Sequence, residues 1–292
     1  MIKKTIVTGM VTLMSLAAMA LPAKRGLTNT ITLNDGTKVE VSLVGDEFMH
    51  YWQDAYGNKY VPTGEANVFK LADASAVSNL TTRALARKAK AHARRAARRN
   101  LSNATDVFQG KKKGLVILVE FTDVKFKNSD SQTLFNRIAN EAGYNEGYFQ
   151  GSVKDYFLAQ SRGQFELDFD VVGPVKLAHN MKYYGGNDAN GYDLHPEEMI
   201  VEACKGIDSK VDFSKYDWDG DGEVDQVYVI YAGYGEADTG KENTIWPHEW
   251  QLAGASMALT LDGVKVDTYA CSSELNGAGE VGGIGTMCHE FS

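Results

Sequence analysis

The stretch covering residues 115–121 is almost continuously apolar, broken only by Glu120. A strand with no polar face must be covered on both sides, which suits the interior of a parallel sheet. Helix and strand signals then alternate along the chain. Residues 129–141 read as a helix, and Ser152 is placed to cap another that runs to Gln160. Residues 165–172 alternate as a strand, Pro196 opens a helix over 197–204, and 226–231 form a further strand. Asp262-Gly263 turns a hairpin between 257–261 and 264–269. This alternation predicts an α/β layered domain over residues 110–292.

A different texture precedes it. Residues 31–33 and 39–43 flank Asn34-Asp35-Gly36, and Ala55-Tyr56-Gly57-Asn58 marks a second turn, so residues 21–80 read as a small β-rich unit. Strands this short need a partner surface. Residues 81–109 read as a basic linker. No acidic residue occurs between Ala74 and Thr105, while Arg83, Arg87, Lys88, Lys90, Arg94, Arg95, Arg98 and Arg99 crowd together. Like charges four apart oppose a helix here, so a solvated, mobile segment is expected, open to a trypsin-like maturation protease. A nucleic-acid role is excluded by the missing aromatic interleaving and the overall charge of −8.

Residues 1–20 read as a signal peptide. Lys3 and Lys4 precede a short apolar stretch that ends in the small-x-small site Ala18-Met19-Ala20. That stretch falls short of the roughly 20 residues needed to cross a bilayer, so export without a membrane anchor is expected, to the medium or periplasm. In such a compartment Cys204, Cys271 and Cys288 predict one disulfide and one buried thiol.

Two clusters carry chemistry. His289-Glu290 is the opening of a His-Glu-x-x-His pattern, in which two imidazoles one helical turn apart hold zinc and the intervening Glu serves as general base. The dipeptide also occurs at His248-Glu249, so alone it is a weak signal. Asp217-Trp218-Asp219-Gly220-Asp221-Gly222-Glu223-Val224-Asp225 places carboxylates at alternate positions around a turn glycine, as the first nine positions of an EF-hand-like calcium loop do. The candidate calcium ligands are Asp217, Asp219, Asp221, Glu223 and Asp225. Tyr228 occupies the twelfth position, leaving Glu236 or Asp212 to complete the set. His50, His92, His179, His195 and His248 read as surface or packing residues, and no Gly-x-Ser-x-Gly elbow supports seryl catalysis.

Several motifs in order resemble the secreted zinc metallopeptidases related to immune inhibitor A. They are Asp35-Gly36-Thr37 with Gly45-Asp46-Glu47-Phe48, and Ser152-Val153-Lys154-Asp155-Tyr156-Phe157 with Gln160-Ser161-Arg162-Gly163. Tyr184-Gly185-Gly186, the Asp217 loop, Tyr231-Ala232-Gly233-Tyr234, Trp246-Pro247-His248 and Gly285-Thr286-Met287-Cys288-His289-Glu290-Phe291 follow. The resemblance implies a propeptide, then the upper subdomain of a zincin-like catalytic domain that hydrolyses proteins or peptides with a metal-activated water. His289 becomes a zinc ligand (Zn2+) and Glu290 the general base, with Ca2+ structural. Because the second zinc His is not among these residues, the chain as written is expected to be inactive. The competing expectation is a catalytically dead, calcium-stabilised secreted binding or adhesion protein.

Overall fold

The computed structural model describes residues 21–65, 67–101 and 108–291; the side chains of residues 94–101 and of Glu290 are outside that description. The signal-peptide segment, 1–20, lies outside the described residues as well. Five short strands come first: β1 (Thr28–Leu33), β2 (Lys38–Asp46), β3 (Met49–Gln53), β4 (Lys59–Pro62) and β5 (Val68–Leu71). They close into a barrel through antiparallel neighbours and a parallel β1–β5 seam, Thr32 facing Val68 and Leu33 facing Phe69. The turns fall where Asn34-Asp35-Gly36 and Ala55-Tyr56-Gly57-Asn58 predict them, with Gly36 at φ +85 and Gly57 at φ +87.

Helix α1 (Ala74–Leu101) follows, so the basic segment is helical and not a mobile linker. It starts inside the stretch assigned to the β-rich unit, where the Asp73 carboxylate accepts from Ala76 N at 2.7 Å. Its charges are relieved by partners elsewhere in the fold. Lys88 Nζ lies 2.7 Å from Asp46 Oδ2, and the Arg87 guanidinium stacks on two aromatic rings. Local repulsion between like charges is worth only about 0.2–0.5 kcal/mol per pair, which such contacts override.

The second unit opens with β6 (Gly110–Glu120), α2 (Ser131–Asn140), α3 (Val153–Gln160), β7 (Phe165–Lys176), α4 (Met181–Gly185) and α5 (Pro196–Ile207). It continues with β8 (Val227–Tyr234), α6 (Glu236–Thr239), β9 (His248–Gln251), β10 (Leu259–Leu261), β11 (Val264–Val266), β12 (Thr268–Leu275) and α7 (Ile284–Glu290). Its sheet has the order β7-β6-β8-β12-β9, parallel except for β9, which runs antiparallel along the edge. The hairpin β10–β11 stands apart.

Mixed α/β layering follows from β6. Leu115, Ile117 and Val119 point into a core shared with α5, through Met199, Ile200, Ala203 and Cys204. Val116 and Leu118 point the opposite way, into a core shared with α2, α3 and α7. All five β6 side chains are fully buried. A capping box on α3 is complete, Ser152 accepting from Asp155 N and Asp155 accepting from Ser152 N. The expected disulfide does not form: no bridge joins Cys204, Cys271 and Cys288, and all three are buried. Burial pushes the Cys204 and Cys288 thiols up to about 12, so they behave as small core hydrophobes.

The partner surface that the short strands require is on the second unit. Trp246 and Ala237 belong to the same buried cluster as the barrel residues Ile31, Val41, Leu43 and Trp52. Trp246 Nε1 donates to Leu21 O, and the His50 ring stacks on the indole at 4.1 Å. Gly240, at φ +64, lets the Trp52 ring approach so closely that a Cβ would sit 2.5 Å from it. Trp246→Ala is expected to cost about 3–5 kcal/mol. Hydrogen exchange checks it: the barrel amides should lose more protection than those of β6, and equal losses would contradict a shared core.

Candidate functional site

Helix α7 carries the first candidate. Gly283 caps it without a side chain, and Met287, Cys288 and the following Phe291 anchor it in the core beneath β8 and β12. His289 is half-buried, and the backbone of Glu290 completes the helix. The competing dipeptide His248-Glu249 falls on strand β9, where no residue lies one helical turn away. His248 is instead spoken for: Nδ1 is 2.7 Å from Trp246 O and Nε2 is 2.9 Å from Tyr269 OH. Burial holds it neutral, its pKa pushed down to about 4. Helical geometry thus singles out His289 as the imidazole able to share a metal with a residue four positions on. Zinc needs two further protein ligands, which no group of described residues supplies to His289.

The Asp217 loop is the second candidate. Ligand oxygens of Asp217, Asp219 and Asp225 lie within 4.8 Å of one another. Gly220 and Gly222, at φ +75 and +89, fold the loop so that their N–H groups donate to Asp217 at 2.8 and 2.9 Å. Asp225 Oδ2 accepts from Trp218 N at 2.6 Å. Two of the five expected ligands are not drawn in. Asp221 Oδ1 accepts from Glu223 N at 2.8 Å, and Glu223 Oε2 pairs with Lys265 at 3.1 Å. Neither substitute for the twelfth position is in the cluster: Asp212 accepts from Ser214, and Glu236 is buried beside Asn187. Tyr228 is a core residue.

The loop and α7 are mechanically joined. Trp218 Nε1 donates to Lys113 O at 2.7 Å near the start of β6, and its ring lies 6.2 Å from that of Phe291. Phe291 also meets Phe169 at 5.3 Å and Phe157 at 6.4 Å. The indole of the acidic loop therefore packs against the exit of the His289 helix.

Sequence reasoning missed a third feature, the polar seam where the barrel meets the second unit. Asp193 and Glu236 are buried there, and Asp193 Oδ1, Glu236 Oε2 and His50 Nε2 have no hydrogen-bond partner. Desolvation raises both carboxyls well above their ordinary range, with repulsion from Asp193 adding to Glu236 and repulsion from Glu197 and Asp188 adding to Asp193. Burial likewise raises Glu47 to about 8 and lowers His50 to about 4. No local pattern marks these residues, because their burial comes from contacts between distant segments.

Residues 102–292 match the family model described as Immune inhibitor A peptidase M6, catalytic domain, and the chain belongs to that family. It is 27% identical over 219 residues to "Immune inhibitor A" of Bacillus thuringiensis subsp. alesti, an alignment covering 62% of this chain and 32% of the relative. The chain thus spans about a third of that relative's length.

The seam makes docking pH-dependent. Glu47 keeps its proton in the docked state up to about pH 8 but loses it near 4.5 when free, so its contribution to docking fades as pH rises through that window. The histidines act oppositely and only below about 6.5. Between pH 6.5 and 8 the barrel should loosen by up to about 2 kcal/mol. Urea melts of wild type and Glu47→Gln check this: the variant should lose Glu47's share of the slope, that of Asp193 and Glu236 remaining.

Proposed function

We propose that this chain is the amino-terminal part of a secreted zinc metallopeptidase precursor, in which the barrel and α1 form a propeptide docked on a zincin-like catalytic unit. The observation that carries the reading is the placement of His289 and Glu290 on a helix seated in the core of a family-matched catalytic domain. His289 is the residue that would hold zinc, and bound zinc would supply Lewis acidity at the scissile carbonyl and its attacking water. Glu290 is the group to hold and move the proton. The core anchors Met287, Cys288 and Phe291 fix the helix so that His289 does not wander. Protein or peptide chains are the substrates.

Residues 1–20 are proposed as the export signal, and the Arg-rich part of α1 as the place where a maturation protease cuts. The loop holding Asp217, Asp219 and Asp225 suits a hard cation such as calcium, which prefers clustered carboxylate oxygens. Calcium there would be structural, steadying the Trp218–Phe291 contact and so the His289 helix.

Two measurements test this. A chain extended beyond Ser292, toward the relative's length, should gain one zinc by elemental analysis and lose it in His289→Ala. Its Glu290→Gln variant should keep the metal while casein cleavage falls by about 10² to 10⁴; an extended chain without zinc would sink the reading. For the loop, calcium at about a hundred times its Kd adds about 2.7 kcal/mol, roughly 5 °C in Tm, and Asp217→Asn should abolish that shift.

A further inference from the structure

Helix α1 crosses the second unit and sends one side chain into it. The Arg87 guanidinium carbon lies 4.2 Å from the ring centre of Tyr192 and 4.6 Å from that of Trp250. Two aromatic faces at this range form a cage for a cation, the arrangement that recognises guanidinium and quaternary ammonium groups. Both rings belong to the second unit, Tyr192 from the loop before α5 and Trp250 from edge strand β9. Tyr192 is fixed in place, its hydroxyl donating to Phe48 O at 2.9 Å.

The cage opens into a cavity of about 260 Å³ that is lined by Glu47, Asp193, Glu197 and Glu249 as well as by Arg87 and the two rings. Asp193 and Glu197 both feel the Arg87 charge. The arrangement is that of a basic side chain held in an aromatic slot with acidic walls. Lys90, with its ammonium 5.7 Å from the Trp250 ring, adds a second cation at the rim. Tyr192, Asp193, Glu197, Glu249 and Trp250 belong to the second unit, whereas Glu47, Phe48, His50 and Arg87 would leave with the barrel and α1.

We propose that Tyr192 and Trp250, with Asp193 and Glu197 behind them, form a guanidinium-binding subsite that Arg87 fills in the precursor and an arginine side chain of a polypeptide fills afterwards. The second occupant rests on the peptidase reading; the first does not. Arg87 therefore acts as an internal stand-in for the ligand and as the pin that keeps α1 seated.

The test empties the slot without cutting the chain. The full chain carrying Arg87→Ala is titrated with N-acetyl-arginine amide and with its neutral citrulline counterpart, reading the Trp250 indole N–H by NMR. The arginine compound should bind saturably and at least about tenfold more tightly than the citrulline one. Wild type, its slot filled, should bind neither, and Arg87→Ala combined with Trp250→Ala should lose the preference. In parallel, trypsin should cut within α1 several-fold faster in Arg87→Ala than in wild type, and the arginine compound should slow it again. Circular dichroism and the calcium-dependent melt confirm that each variant is folded. Equal binding of the two compounds, or a preference that survives Trp250→Ala, would overturn the subsite. Because binding is read on the uncut precursor, failure of the longer protein to cleave casein leaves the result standing.

Discussion

Everything in the second unit depends on one strand being walled in on both sides. With Leu115 through Val119 fully buried, β6 divides the interior into two cores that share a sheet and little else. One core holds α5 and the floor of the polar seam; the other holds α2, α3 and the helix with His289. Apolar burial at about 25 cal/mol per Å² makes such a strand costly to expose, so the elements that cover it are held in fixed places. A helix that must present an imidazole reproducibly gains from being one of those covers.

The acidic loop is tied into the same scheme. Trp218 donates to the backbone of Lys113, near the start of β6, while its ring lies against Phe291 at the end of α7. A cation bound by Asp217, Asp219 and Asp225 would therefore act on the candidate metal helix through one indole, without reaching it directly.

Local chemistry made much of this readable in the residues. The hairpin glycines, the Ser152 cap, Pro196 at a helix start and the unbroken apolar run of β6 each act within a few residues of themselves, and each sits where it was expected. What could not be read was decided at long range. Helix α1 looked unstable because its neighbours in sequence are its repellers, and its partners Asp46, Tyr192 and Trp250 lie far along the chain. Glu223 reads as a ligand by position, and its ion pair with Lys265 on β11 is a long-range contact that the local pattern does not announce. The cysteines invited a bridge by count, but the fold buries them at separate places with no bridge between them. The burial of Asp193 and Glu236 left no trace in the sequence at all.

The double membership of Trp246, packed into the barrel core while rooted in the second unit, would change character if the connection through α1 were severed. In one chain the barrel faces its seat at an effective concentration that a tether keeps high, of millimolar order for short flexible links. After such a cut, reseating would become an encounter between two molecules, and dilution would work against it. The same contacts that hold a tethered barrel firmly would then be governed by volume, so a single backbone cleavage would make any departure of the barrel hard to reverse.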